Sequence, residues 1–130
     1  MKAKLNYKKT DLGIIPEEWN IKSLEELTTK IGDGLHGTPV YSTNGDFFFI
    51  NGNNLDNGKI ILTNETKTVD HSEYIKYHKP LDDKSILISI NGTIGNLAVF
   101  NNEKIMLGKS VAYLNLKKNI FKSYVYYSLK

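Results

Sequence analysis

The sequence predicts an α+β fold: a mostly antiparallel β scaffold carrying two or three short helices. Three observations predict it. Short apolar, β-prone runs recur, among them Phe47-Phe48-Phe49-Ile50, Lys59-Ile60-Ile61-Leu62-Thr63 and Ser85 to Ile90. Asn-Gly pairs and other glycine-rich turn signals punctuate them. Two capping-box patterns, Ser23-Leu24-Glu25-Glu26 and Asp70-His71-Ser72-Glu73, announce brief helices.

Taken in order, residues 1–11 read as a flexible basic arm bearing Lys2, Lys4, Lys8 and Lys9. Leu12-Gly13-Ile14-Ile15-Pro16 leads to Glu17-Glu18-Trp19, and Trp19, the single tryptophan, is expected to anchor this segment to the core. Ser23 is the N-cap of a helix expected to run to about Lys30 and to bury Leu24, Leu27 and Ile31. Residues 32–39, with glycines at 32, 34 and 37 and a closing Pro39, form a structured loop. Phe47-Phe48-Phe49-Ile50 is a buried strand, Asn51-Gly52-Asn53-Asn54 and Asp56-Asn57-Gly58 are turns, and residues 59–63 form the next strand. Asp70 caps a second helix that ends before Pro80, with Glu73 closing its box.

Leu81-Asp82-Asp83-Lys84 turns into the strand 85–90, and Asn91-Gly92-Thr93-Ile94-Gly95 is a polar loop on a β scaffold, a common setting for recognition residues. Residues 97–100 and 104–107 are expected to form a hairpin around Asn101-Asn102. Residues 110–116 alternate, with Val111, Tyr113 and Asn115 on one side. Ile120, Tyr124, Val125 and Tyr127 sit at helical spacings in residues 119–130.

Composition narrows the function. The chain has 130 residues, enough for one domain, with 40% hydrophobic residues and no cysteine. No apolar run approaches the ~18 residues of a membrane span, and the start has no apolar core after its lysines. A cytoplasmic location is the expectation. Formal net charge is only +3, but all 17 basic residues are lysine. Lysine suits phosphates as a point charge, whereas arginine forks onto guanine. A base reader built this way must use amides and hydroxyls, and asparagine pairs well with adenine. The plainer account of the abundance of Lys, Asn and Ile is codon bias in an A+T-rich genome.

Several chemistries lack their motifs. No Gly-x-Gly-x-x-Gly follows a strand, no P-loop occurs, and no Asn-Pro-Pro-Tyr motif of the adenine methyltransferases is present. His36, His71 and His78 have no metal-ligand spacing, so neither metal nor cofactor is expected. Asp56 with Glu65-Thr66-Lys67 loosely mimics the carboxylates and lysine of Mg²⁺-dependent nucleases, and a small nuclease using these residues is the alternative function. The plainer reading there is a solvated hairpin end. His36, beside Asp33 and Thr38, is expected to order its loop by hydrogen bonds that then present donors to a ligand. Tyr41, Tyr74 and Tyr77 are the candidates for exposed stacking platforms. Phe47, Phe48, Phe49 and Tyr113 are core candidates, and Tyr124, Tyr126 and Tyr127 suggest helix packing or a subunit contact.

The chain resembles the target-recognition domain of type I restriction-modification specificity subunits. The residues that carry the resemblance begin with Leu12-Gly13-Ile14-Ile15-Pro16-Glu17-Glu18-Trp19 and Asp33-Gly34-Leu35-His36-Gly37-Thr38-Pro39. They continue through Phe49-Ile50 with its Asn-Gly-rich turn, Asn57-Gly58-Lys59-Ile60, and Leu87-Ile88-Ser89-Ile90-Asn91-Gly92-Thr93-Ile94-Gly95. They close with Tyr126-Tyr127-Ser128-Leu129-Lys130. Together, in order, they cover nearly the whole chain.

The resemblance implies a non-catalytic module that reads one half of a bipartite site in double-stranded DNA. It implies adenine-methyltransferase (modification) subunits and a restriction subunit as partners, which supply S-adenosylmethionine and ATP chemistry. It also implies that residues 1–130 are a single N-terminal recognition domain, incomplete at its C-terminus. On this reading Asp33, Gly34, His36, Thr38, Tyr41, Asn51, Asn53, Asn91, Gly92, Thr93 and Gly95 belong to loops facing DNA, with Asn53, Asn91 and Thr93 on bases. Lys59, Lys84 and Lys109 would contact phosphates, and about six such contacts would make binding steeply salt-dependent. A protein-interaction module that pairs with a methyltransferase subunit is a further alternative.

Overall fold

The computed structural model describes residues 6–10, 13–16 and 23–130. In chain order the first elements are β1 (Tyr7–Thr10), β2 (Gly13–Pro16), α1 (Leu24–Leu27), β3 (Thr28–Asp33) and β4 (Phe47–Ile50). A 3₁₀ turn η1 (Gly52–Asn54) follows, then β5 (Leu55–Asp56), β6 (Lys59–Ile60), β7 (Thr68–Val69) and α2 (His71–Tyr77). The last are β8 (Ser85–Asn91), β9 (Thr93–Val99), β10 (Ile105–Leu107), β11 (Val111–Leu116) and α3 (Lys122–Leu129). The fold is α+β on a mostly antiparallel scaffold, as the sequence predicts.

The principal sheet has four strands in the order β3-β11-β8-β9, every neighbouring pair antiparallel. A second sheet, β10-β4-β7, pairs β10 parallel and β7 antiparallel to β4. Alternation along β8 builds two cores at once. Leu87 joins Val111, Tyr113 and Ala98 against Ile50, Ile105 and Leu107 of the second sheet. Ile86 joins Leu97, Leu114 and Leu116 on the other face, under Val125 and Tyr126 of α3. Phe49, Val69 and Met106 make a third cluster, closed by Tyr74 of α2, whose ring stacks on Phe47 at 3.7 Å.

Several local expectations meet their residues. Ser23 and Glu26 form the capping box of α1. Asn57 and Gly58, both at positive φ, make the two-residue turn of the β5–β6 hairpin, which suits an Asn-Gly pair. Asp70 caps α2 by accepting from the Glu73 N–H at 3.3 Å. The Glu73 side chain, however, leaves the cap. It is buried, and its Oε2 accepts from the Val40 N–H at 2.5 Å, tying the loop before β4 to α2.

Other expectations are corrected. The first helix stops at Leu27 instead of about Lys30 and buries none of its residues; Leu24 and Ile31 are exposed. The β-branched pair Thr28-Thr29 disfavours propagation, and the Thr28 hydroxyl bonds the Leu24 carbonyl at 2.8 Å to close the single turn. The chain then pairs with β11, so Gly32 and Asp33 end a strand, not begin a loop. Residues 97–100 and 104–107 do not form a hairpin. Residues 97–99 pair with β8, and Ile105–Leu107 crosses to the second sheet. That run is buried at all its positions, which fits a strand covered on both faces better than a hairpin arm with one wet face. The strand after Gly58 is only Lys59–Ile60. Residues 7–10, expected as part of a flexible arm, pair with residues 13–16. Trp19 lies outside the described residues.

Candidate nucleic-acid interface

Strands β3 and β8 end, and β9 and β11 begin, along one edge of the principal sheet. The chain between β10 and β11 crosses this edge and collects its neighbours. Leu35 donates its N–H to the Leu107 carbonyl at 2.8 Å, and Gly34 to that of Val111 at 3.0 Å. Gly34 lies so close to the Leu107 and Gly108 carbonyls that any Cβ there would collide with them. From a second direction, Gly108 donates to the Ile50 carbonyl at 2.8 Å. The Ser110 hydroxyl accepts from the Gly52 N–H at 2.8 Å and donates to Asn51 Oδ1 at 3.2 Å. From a third, Ile90 donates to the Ser110 carbonyl at 2.9 Å. Residues 107–111 thus join the three segments that the sequence singled out separately.

The 91–95 segment is not a free loop. Asn91 and Thr93 are cross-strand partners around Gly92, and Thr93–Gly95 already belong to β9. Gly95, at φ 91°, sits where two residues of β9 oppose one of β8, a bulge that only glycine adopts at no steric cost. The bulge is locked from inside: the fully buried Ser89 hydroxyl accepts from the Asn96 N–H at 2.8 Å. η1 packs over the same place, with Gly52 against the Ser89 side chain.

Asn51, Asn53, Asn91, Gly92, Thr93 and Lys109 are exposed at this edge, and Asp33 and His36 flank it. His36 Nε2 lies 2.6 Å from Asp33 Oδ2, the intraloop bond expected of this pair. Thr38 is exposed farther along the same segment. Tyr41 stands on the flank of the second sheet, its ring 6.0 Å from that of Phe49, with Lys67 Nζ 5.8 Å from its centre.

Two of the predicted phosphate contacts lie elsewhere. Lys84 precedes β8 at the opposite end of the sheet, roughly 20 Å from Asn91 by strand rise. Its ammonium donates to the Ile120 carbonyl at 2.8 Å, a tether for the approach to α3. Lys59 faces Asp56 in the β5–β6 hairpin, whose Gly58 bonds Leu97 and Val99, and lines a concavity with Tyr126 and Tyr127. The nuclease constellation does not assemble. Asp56 lines that concavity, whereas Glu65 and Lys67 line a different one beside Ser42 and Thr68. Among the described residues no group of three His, Cys, Asp or Glu side chains is placed to hold a metal ion.

The aromatic candidates divide. Tyr74 is taken up by its stack on Phe47, and Tyr77 is exposed. On α3, Tyr126 is buried while Tyr124 and Tyr127 face outward. Ile90 and Ile94, absent from the sequence-based candidates, stand exposed at the hairpin tip. The signal for Ile90 was the continuing alternation after Ile86 and Ile88; Ile94 was concealed by the glycines on either side.

One carboxylate away from this edge is perturbed. Asp70 is held below the ordinary aspartate range, first by the Ser72 hydroxyl and then by the Glu73 N–H. Among the described residues no helix is long and apolar enough to cross a membrane. A family model described as type I restriction modification DNA specificity domain matches residues 16–130.

Proposed function

The chain belongs to the type I restriction modification DNA specificity domain family, and on that premise we propose that the edge around residues 107–111 is its DNA-reading surface. DNA-target recognition within a type I restriction-modification system is the role this membership carries. The finer reading is that the domain recognises one half of a bipartite target. Modification subunits then methylate adenine and a restriction subunit cleaves, while this chain supplies sequence choice and no catalysis, acting in the cytoplasm.

The observation that supports the reading is the convergence of three polar segments on one short hub. Asn51, Asn53, Asn91 and Thr93 are the base-reading groups; amides pair with adenine edges, and a hydroxyl accommodates several bases. Lys109, at the centre of the edge, takes a backbone phosphate and fixes register. Lys59 and Lys84 leave the set, since their positions serve the other end of the molecule. The test is binding of the intact chain to a pool of random duplexes at increasing salt. Affinity should fall steeply from low to moderate salt, and repeated selection should enrich one short motif. Salt-independent binding, or a pool that never converges, would sink the proposal.

A further inference from the structure

The tip of the β8–β9 hairpin has two different faces. In β8, Leu87 and Ser89 turn toward the second sheet and η1, while Ile86 and Ile88 turn toward the α3 layer. The alternation continues to Ile90 on the α3 side and Asn91 on the η1 side. Cross-strand partners share a face. Ile90 pairs with Ile94 and Asn91 with Thr93, so the tip is apolar on one face and polar on the other. The apolar face opens to solvent toward the tip, where Ile90 is 42% and Ile94 77% exposed.

A lone exposed isoleucine is ordinary on a protein surface. This pair differs in its position. It stands at the end of a ribbon that runs past the start of β11, and the bulge at Gly95 and the Asn96–Ser89 bond hold its direction. B-DNA's major groove is ~12 Å wide and admits a two-stranded β ribbon, so side chains at the end of such a ribbon can reach base edges. The apolar group that base pairs present there is the C5 methyl of thymine. The polar groups of this edge favour A·T pairs as well, since asparagine amides suit adenine and the chain has no arginine for guanine.

We infer that Ile94, backed by Ile90, is a specificity residue that reads a thymine through its methyl group while the opposite face of the tip reads adenine. The inference rests on the DNA-reading function proposed above. Its test begins with duplexes selected by the intact chain. Each thymine in the selected site is replaced in turn by deoxyuridine, which removes the methyl group and leaves pairing unchanged. One replacement should weaken binding about fourfold, the transfer value of one buried methyl. Ile94→Ala should retain the wild-type unfolding midpoint and bind the thymine and uracil duplexes equally.

If no position responds to the missing methyl, or if the response persists undiminished in Ile94→Ala, the inference is wrong and DNA reading stands. If Ile94→Ala weakens association with a modification subunit and leaves thymine discrimination intact, the face belongs to a protein partner and the inference is likewise wrong. Failure to select any DNA removes the underlying function as well.

Discussion

Ser110→Ala probes the hub directly. In the wild type this hydroxyl accepts from the buried Gly52 N–H at 2.8 Å and donates to the exposed Asn51 amide oxygen at 3.2 Å. Alanine leaves the Gly52 N–H without its partner under a packed turn, which costs about 1–3 kcal/mol. The bond to Asn51 adds little, because water replaces it. A loss near 2 kcal/mol, with a urea slope of about 1–3 kcal/mol/M, lowers the unfolding midpoint by roughly 1 M. The second readout is DNA affinity far below that midpoint, where the variant is folded. With η1 released from the β10–β11 connection, Asn51 and Asn53 lose their fixed direction, and affinity for the selected duplex should drop more than affinity for random duplex. A midpoint shift below about 0.3 M would show that the hydroxyl does not hold the turn. Loss of stability with unchanged discrimination would show that η1 is held there for packing and not for recognition.

Lys109→Ala should reduce the slope of log affinity against log salt by about one, the signature of one phosphate contact, whereas Lys84→Ala should lower thermal stability and leave the slope unchanged. Asn91→Ala and Thr93→Val change exposed side chains on the polar face of the tip, so both should fold normally and relax base preference at one or two positions of a selected site, read by repeating the selection. Leu87→Ala removes a fully buried side chain between the two sheets and should cost about 2–5 kcal/mol in urea unfolding. Asp70 is lowered from 3.8 when folded, so its bond to the α2 cap stabilises the protein above that pH and is lost as pH falls through the lower folded value. Its NMR titration midpoint should lie below 3.8 and rise in Ser72→Ala.

What the sequence made legible was whatever depends on neighbours in the chain. Ser23 with Glu26, Asp70 with the Glu73 N–H, and Asn57-Gly58 are local devices whose geometry follows from residues within a few positions. Partner choice between distant strands has no such local origin. Asn101-Asn102 does turn the chain, with Asn102 at φ 61°, but a turn does not determine which strand the next run joins. Ile105–Leu107, apolar on both faces, joins β4 and not β9, whose outer edge bonds the Gly58 turn. The length of α1 failed for the converse reason: its capping signal is sound, but pairing of Thr28–Asp33 with β11 takes the residues that would have extended it.

The same distinction applies within the candidate interface. Asn51, Asn91 and Lys109 were recognisable as exposed polar groups, yet their convergence depends on Gly34, Gly52 and Gly108. A Cβ would meet the Leu107 and Gly108 carbonyls at Gly34, the Ser89 side chain at Gly52 and the Asn51 side chain at Gly108, and a glycine that permits close approach reads in sequence like one that permits a turn. Gly95 is ambiguous in the same way. Read as a turn residue, it makes 91–95 a loop with every side chain available. Read as a bulge, it assigns Asn91 and Thr93 to one face and Ile94 to the other. Period-two alternation means that one inserted residue determines which side chain meets which surface. Deleting Gly95 should therefore leave Ile88–Leu97, Ile90–Ile94 and Asn91–Thr93 paired with the same faces and remove only the bulge, with the bend and twist that aim the tip. A selected DNA motif that survived this deletion unchanged would show that the bulge does not aim the tip at bases.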